Sequence, residues 1–249
     1  MIRDSFVLLE KISATKEQQL WAQGIKQWPD FLRAKKIKGI SAAKKHYYDR
    51  QLWEAMKKLQ EDDSSYFVGK LPGRETWRLY PHFRDECGFL DVEVDSQGNI
   101  SVVGISNYYR SVSFVKGFNL EKNELEKEIQ KYKIIVSFNG KTFDFPKLQK
   151  GLGVVITIPH IDLKPLCAQL GLVGGLKEVE KLLNLKRPDH LHGNPVELWK
   201  AFHASGDKEY LELLLEYNRE DIENLKGVMD FVYKELTNRI QKLPVHNLQ

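Results

Sequence analysis

Acidic side chains occur at three places in the sequence from which they could meet and bind metal ions. The first is the segment Leu90-Asp91-Val92-Glu93-Val94, whose alternation of apolar and acidic residues is typical of a strand. Asp91 and Glu93 would share one face of that strand and the apolar side chains the other. Adjacent carboxylates repel each other unless a cation compensates them. The pair therefore predicts a divalent metal site, with a water-facing edge strand as the alternative.

The second place is Asp144, which follows the apolar segment 134–138 and the dipeptide Asn139-Gly140. The pattern predicts a strand, a turn and then a helix that begins near Asp144. Carboxylates near the ends of strands in an α/β sheet can converge on a common site. The alternative for Asp144 is a helix cap or a partner of the helix dipole, and Asn139-Gly140 could equally be an ordinary tight turn.

The third place is a long predicted helix that begins near residue 208. Tyr217 and Asp221 are four residues apart on it, so they lie together on one flank of its apolar face. By itself this pair is better explained as a partly buried tyrosine beside a solvated aspartate. Its chemical meaning depends on where the other carboxylates lie.

The secondary structure predicted around these residues is that of an α/β domain. Three strands come first, helix and strand then alternate, and the remainder is mostly helical, which favours a mixed sheet flanked by helices. The predicted strands are 89–94, 100–105, 111–115, 133–138 and 154–163, and the predicted helices include 121–130, 141–150 and the long helix from 208.

The first part of the chain differs in charge and in pattern. Residues 1–85 contain 17 Lys and Arg against 11 Asp and Glu, and the remainder carries a small negative net charge. Short helices are predicted there, one capped by Thr15 and a longer one capped by Ser41. A basic module beside a mildly acidic one indicates a polyanion-binding region, with a solvated lysine-rich surface as the alternative. We therefore predict a basic helical region at 1–65, a linker at 66–86 and an α/β domain at 87–240.

The composition excludes several classes of protein. Of the 249 residues, 42% are hydrophobic, which permits a folded core and excludes wholesale disorder. No segment is as long and apolar as a membrane span requires, and the charged N-terminus is unlike a signal peptide. Cys87 and Cys167 match no metal-ligand spacing and form no disulfide framework. These features predict a cytoplasmic protein without a membrane partner.

Taken together, the acidic motifs resemble the signature of the DEDD exonucleases of the tyrosine subclass (DEDDy), which belong to the ribonuclease-H-like superfamily. The order of the motifs and the elements that carry them match, and segments 138–140 and 143–146 are similar to the second motif of that family. Three further segments are similar to the YprB-type ribonuclease-H-like proteins, namely GLKEVE at 175–180, NPVELW at 194–199 and YNRED at 217–221. The resemblance covers about residues 75–235.

This resemblance implies a ribonuclease-H-like fold and a two-metal nuclease. Two Mg²⁺ or Mn²⁺ ions would be held by Asp91, Glu93, Asp144 and Asp221, since hard cations prefer carboxylate oxygens. Two such ions can stabilise the attacking and leaving oxygens of an in-line phosphodiester displacement. Tyr217 would orient or help activate the attacking water. The implied activity is 3′–5′ exonucleolytic hydrolysis at the 3′ end of single-stranded DNA or RNA.

One segment departs from the family pattern. The family usually follows its first motif with Thr or Ser and then Gly, whereas this chain has Val94 and Asp95. Two alternatives to an exonuclease stay open. One is a ribonuclease-H-like module that binds nucleic acid or a partner without cutting, and the other is an endonuclease on the same fold.

The N-terminal region has a more diffuse resemblance, to a helix-hairpin-helix segment. It spans residues 9–32, with Lys11 and Ser13 where the hairpin glycines would be. Those glycines let backbone N–H groups approach a phosphate, so without them the hairpin could serve packing alone. Residues 36–41 could form a second, phosphate-facing hairpin. The side chains predicted to bind nucleic acid are Lys36, Lys38, Lys44, Lys45 and Asn139.

Overall fold

The computed structural model of the chain describes residues 1–191 and 193–242, which form a five-stranded sheet with helices on both sides. The strands are β1 (Cys87–Val94), β2 (Ile100–Ser106), β3 (Ser111–Val115), β4 (Ile134–Ser137) and β5 (His160–Asp162). The helices are α1 (Ala14–Ala22), α2 (Trp28–Arg33), α3 (Ala42–Gln60), α4 (Lys122–Ile129), α5 (Asp144–Leu152), α6 (Leu163–Gln169), α7 (Leu176–Leu182), α8 (Pro195–Ser205) and α9 (Lys208–Gln241). Within these described ranges, none of the helices is both long enough and apolar enough to cross a bilayer.

The sheet is mixed, which confirms the predicted fold class. Its strand order is β3-β2-β1-β4-β5. The pairs β1–β2 and β2–β3 are antiparallel, and the pairs β1–β4 and β4–β5 are parallel. The antiparallel strands follow one another through short turns, whereas the parallel strands are joined through helices, because a parallel connection has to cross the sheet. β1 is therefore the central strand.

The two faces of the sheet bury different apolar clusters. Leu90 and Val92 of β1 pack on one face in a cluster that includes Leu125 of α4. Phe89 packs on the opposite face in a cluster that includes Ile222 of α9. Because side chains alternate along a strand, the acidic residues of β1 share the face of Phe89. That face therefore changes from apolar to acidic along β1, underneath α9.

A small all-helical region precedes the sheet, as predicted. Its helices α1 to α3 belong to an apolar cluster that extends from Ile2 to Leu236 in α9. Trp77 and Leu79, from the 3₁₀ helix Gly73–Leu79, are buried in the same cluster. The division of the chain at 66–86 stays a prediction, and the apolar cluster is continuous across that segment.

A buried ion pair joins the N-terminal region to the segment before the sheet. Glu17 of α1 and Arg78 have side chains only 1% and 4% exposed, and Arg78 Nη2 donates to Glu17 Oε2 at 2.9 Å. The other carboxylate oxygen accepts from Ser5 Oγ and from the backbone N–H of Phe6. Burial raises the pKa of Glu17, and Arg78 and these donors act in the opposite direction. Arg78 Nε also donates to Glu75 Oε2 of its own segment at 2.6 Å, so Arg78 links the Glu17 carboxylate of the N-terminal region to the segment before the sheet.

The prediction that Thr15 caps α1 is wrong. The cap is Ser13, whose hydroxyl accepts from the backbone N–H of Lys16 at 3.2 Å. The capping box predicted at Thr15 would use Gln18, three residues on, but α1 already begins at Ala14, so Thr15 lies inside the first turn of the helix. The serine two residues earlier therefore supplies the cap. The predicted cap of α3, Ser41, is confirmed by its bond from the N–H of Lys44.

The prediction of a strand over 154–163 is wrong for most of its length. Only the last part forms β5, which pairs with β4. Pro159 has no N–H to donate to a ladder, although its carbonyl accepts from the N–H of Ile135. Val154 is buried in an apolar cluster without belonging to a strand. The apolar residues of this segment are therefore explained by burial in the core and not by membership of a β-strand.

We expect Arg78→Ala to lower the free energy of unfolding by about 3–5 kcal/mol, because it leaves the Glu17 carboxylate buried without its cation. Urea unfolding followed by circular dichroism measures this loss. The matched control is Arg33→Ala, which removes an exposed partner of Asp30 on α2 and should have a much smaller effect. Equal losses in the two variants would contradict the role of the buried pair.

Candidate metal centre

β1 positions Asp91 and Glu93 beyond the end of its pairing with β4. That parallel pairing covers only residues 87–89, so the remainder of β1 is paired on one side, with β2. Both acidic side chains project from the face on which α9 packs, while Val92 between them is buried on the other face. The unpaired edge of β1 is covered by the turn that follows β4.

Asp144 lies at that edge, as the first residue of α5. Its Oδ1 accepts a hydrogen bond from the otherwise unpaired backbone N–H of Val92 at 3.0 Å, and its side chain is buried. The preceding Asn139-Gly140 turn, with Asn139 at φ +69°, is confirmed. A Cβ at Gly140 would lie 3.0 Å from Asp144 Oδ2 and 2.0 Å from Ser137 Oγ, so glycine is required there. The turn thus seats the Asp144 carboxylate against β1.

α9 brings Tyr217, Asn218 and Asp221 over the acidic end of β1. Asn218 Nδ2 donates to Asp91 Oδ2 at 2.8 Å, which fixes the orientation of that carboxylate. This approach requires Gly104, the β2 partner of Asp91, because a Cβ there would lie 2.0 Å from Asn218 Oδ1. Sequence reasoning assigned no role to Asn218 and missed this contact. The available signal was a glycine within a strand, which often marks a close approach.

Three carboxylates converge at this end of the sheet. Oxygen atoms of Asp91, Glu93 and Asp221 all lie within 4.8 Å of one another. Asp144 is not one of these three, but it is close enough for its charge to act on them. Burial first, and then the neighbouring carboxylates including Asp144, raise the pKa of both Asp91 and Glu93. The structure therefore brings three of the predicted acids together and seats the fourth beside them.

The electrostatics of this cluster call for a cation. Burial also raises the pKa of Asp144 and of Asp221, although Arg187 acts against the shift at Asp221. Without further positive charge, each carboxylate makes ionisation of its neighbours less favourable. Carboxylate oxygens are the ligands that hard divalent cations prefer. The donor set and its charge therefore fit Mg²⁺ or Mn²⁺.

Part of the positive charge is supplied by the chain itself. Arg187, which lies between α7 and α8, donates from Nη2 to Asp221 and, from Nε and Nη2, to Glu180 at 3.1 and 2.8 Å. Lys177 Nζ and the guanidinium carbon of Arg187 lie 4.4 and 5.2 Å from the centroid of the Tyr217 ring. Sequence reasoning did not place these cations in the site, because their approach to α9 depends on the packing of segments that are distant in the sequence.

Tyr217 lies one helical turn before Asp221, so the predicted spacing puts the two side chains on one flank of α9. The ring is only 5% exposed. Burial, followed by the charges of Asp221 and Glu93, raises the pKa of the Tyr217 hydroxyl above its usual range. The phenol is therefore protonated at neutral pH and can donate a hydrogen bond.

Two residues depart from the family pattern: Val94 is the last residue of β1, and Asp95 begins the turn between β1 and β2. The pairing register shifts after Glu93. Asp95 Oδ1 then accepts from the backbone N–H groups of Gln97 and Asn99, each at 2.9 Å. A side-chain acceptor of this kind stabilises a tight turn. Asp95 therefore closes the hairpin that holds β1 against β2.

The lysines predicted to bind nucleic acid differ in accessibility. Lys36, Lys38 and Lys44 are exposed. Lys45 is buried, and its Nζ lies 2.6 and 2.7 Å from the two carboxylate oxygens of Asp49 one turn along α3. The charge of Lys45 is therefore compensated within its own helix, whereas the other three lysines are available to an external anion.

Among solved structures, the chain is similar to the family B DNA polymerase from the hyperthermophilic archaeon Pyrobaculum calidifontis. The TM-score is 0.49 at 16% sequence identity, and the similarity covers 59% of this chain and 24% of the polymerase. The part of the polymerase that this chain matches is thus only about a quarter of the length of the polymerase. No curated protein matches the sequence significantly.

A family model described as the RNase_H superfamily matches residues 88–233. The match starts in β1 and ends in α9, so it contains the whole of β2 to β5 together with both elements that supply the three converging carboxylates. It covers more than half of the chain and agrees with the mixed sheet described above. The chain belongs to the RNase_H superfamily.

Proposed function

We propose that this chain is a metal-dependent 3′–5′ exonuclease that hydrolyses phosphodiester bonds of single-stranded DNA or RNA. The observation that carries the proposal is the convergence of Asp91, Glu93 and Asp221, within 4.8 Å, in a domain of the RNase_H superfamily. Asp144 lies beside them against β1. The DEDDy assignment adds Tyr217 to these four acids, and the YprB-type resemblance is part of the same proposal.

The four acids would hold two Mg²⁺ or Mn²⁺ ions. When bound, such ions supply Lewis-acid stabilisation of charge on the attacking and leaving oxygens of an in-line displacement. The residues contribute the geometry. Asn218 fixes the Asp91 carboxylate by its hydrogen bond, and the backbone of β1 holds Asp144. Because water performs the displacement, the mechanism needs no covalent intermediate with the protein.

Tyr217 would act as an orienting group for the attacking water. Its hydroxyl can donate a hydrogen bond to a water molecule or accept one from it, and through such a bond it would orient the attacking water or help to activate it. The ring is held by burial and by the two cations beside it. Its position on α9, one turn from Asp221, places it next to the carboxylates.

The N-terminal region would help to hold the strand. Its net positive charge and the exposed Lys36, Lys38 and Lys44 suit binding to phosphates, and Asn139 is proposed as a further contact because it lies in the turn beside Asp144. In this proposal residues 1–65 contribute affinity and residues 87–240 contribute the chemistry. The site of action is expected to be the cytoplasm.

A test of the proposal uses 5′-labelled single strands of DNA and RNA with Mn²⁺, Mg²⁺ or EDTA. We expect a ladder that shortens from the 3′ end, depends on metal and identifies the preferred sugar. A circular single strand, which has no end, should resist cleavage, and its cleavage would indicate an endonuclease. Binding without cleavage under any metal would indicate a non-catalytic module.

We expect Asp91→Asn to lower the hydrolysis rate by about 10²–10⁴-fold, since it removes a ligand from a site whose cations contribute several kcal/mol to the barrier. The amide keeps the size of the side chain, so the thermal unfolding temperature should not fall. Single-turnover cleavage of a labelled strand measures the rate.

The matched control for Asp91→Asn is Asp85→Asn, an exposed carboxylate just before β1. It removes the same charge outside the acidic cluster and should leave the rate unchanged. A fully active Asp91→Asn variant would contradict the site assignment, and equal loss in both variants would attribute the effect to net charge.

We expect Tyr217→Phe to lower kcat by about 10²-fold, the loss that follows when a reacting group is no longer held in position, while Mn²⁺ affinity is unchanged. The substitution removes only the hydroxyl, and the ring keeps its packing against Lys177 and Arg187. Steady-state cleavage and Mn²⁺ titration by electron paramagnetic resonance separate the two effects. Unchanged kcat would show that the hydroxyl does not orient the water.

A further inference from the structure

Arg187 has a hydrogen-bonding capacity that the protein does not use. A guanidinium group presents N–H donors from three nitrogen atoms in one plane. Nε and Nη2 are engaged by Glu180, and Nη2 also by Asp221. Within residues 1–191 and 193–242, the buried Nη1 atom has no hydrogen-bond partner. A buried donor on a charged group without an acceptor is unfavourable, so it calls for an explanation.

The guanidinium group that carries Nη1 lies at the acidic centre. Because Glu180 occupies the edge formed by Nε and Nη2, the planar geometry leaves Nη1 at the corner farthest from Glu180. The same group contacts Asp221 and lies 5.2 Å from the Tyr217 ring. The unused donors of Arg187 are therefore next to the carboxylates that would hold metal.

Glu180 anchors the guanidinium independently of Asp221. Its side chain is 4% exposed, it belongs to α7, and it holds Arg187 through two hydrogen bonds. A cation bound by Asp221 would compete with Arg187 for that carboxylate. The contact with Glu180 does not depend on that competition, so the guanidinium would stay beside the site with still more of its donors free.

We propose that Arg187 binds a non-bridging oxygen of the phosphodiester that enters the acidic centre, and that Glu180 is the positioning residue that presents it. This inference rests on the proposed function. A guanidinium presents a planar pair of donors that matches the geometry of a phosphate, and it keeps its charge at any physiological pH. A lysine ammonium is a point charge and lacks this planar pair. The acidic centre by itself repels a phosphodiester, and a cation anchored at its edge offsets that repulsion.

The test measures binding apart from hydrolysis. A short fluorescent single strand is titrated with protein in Ca²⁺ and followed by anisotropy, and Mn²⁺ binding to the protein alone is followed by electron paramagnetic resonance. We expect Arg187→Ala to weaken strand binding by about 10- to 100-fold, the usual range for a charge-assisted hydrogen bond. Its Mn²⁺ affinity should be equal to or higher than that of the wild type, because Arg187 competes for Asp221.

Two further variants sharpen the test. Arg187→Lys keeps the charge but cannot contact Glu180 at two points and phosphate at a third, so we expect it to bind the strand at least tenfold more weakly than the wild type. Arg219→Ala is the matched control, because Arg219 is exposed and lies on α9 two residues after Tyr217, towards the other side of the helix. It removes the same charge and should change strand binding by less than about threefold.

The inference is overturned if Arg187→Ala or Arg187→Lys binds the strand as tightly as the wild type. It is also overturned if Arg187→Ala loses Mn²⁺ binding together with strand binding, since Arg187 would then be holding the acidic cluster in place. If the wild type cuts strands but Arg187→Ala retains full affinity, the proposed function survives and this inference alone fails. A wild type that neither binds nor cuts a strand would contradict both.

Discussion

Mutual repulsion among carboxylates is the constraint on which the rest of this structure depends. Asp91, Glu93 and Asp221 lie within 4.8 Å of one another at the end of a buried sheet, and burial makes each negative charge more costly. Hydrogen-bond donors from neighbouring elements partly offset that cost. Asn218 donates to one carboxylate and Arg187 to another. The packing and the donor groups around the site therefore hold the acids together despite their repulsion. A cation bound by the carboxylates best explains this arrangement.

The fold places these acids where its central strand is paired with β2 but no longer with β4. β1 extends past β4, and the turn after β4 fills the gap with a carboxylate from α5 in place of a strand partner. α9 crosses the same end of the sheet and supplies the remaining groups. Asp95 closes the hairpin that keeps β1 in register with β2. The N-terminal helices share their apolar cluster with α9, so their packing also supports the helix that carries part of the site.

Local patterns predicted those parts of the site that depend on one element at a time. Alternation placed Asp91 on the correct face of β1, and four-residue spacing put Tyr217 and Asp221 on one flank of a helix. The contact of Asn218 with Asp91 across Gly104, and the approach of Arg187, depend on how distant segments meet, which no local period encodes. The prediction of a strand over 154–163 was wrong for the same reason, since the apolar residues there are buried by tertiary packing and most of them belong to no strand.

The central claim is that the acidic end of β1 binds divalent cations for hydrolysis of nucleic acid. The most direct test is anomalous diffraction from crystals soaked in Mn²⁺, with the same crystals soaked in Ca²⁺ for reference. We expect anomalous density bounded by Asp91, Glu93 and Asp221, with Asp144 beside it. That density should be lost in the Asp91→Asn variant. Mn²⁺ bound elsewhere, or an empty acidic cluster in a preparation that cleaves strands, would contradict it.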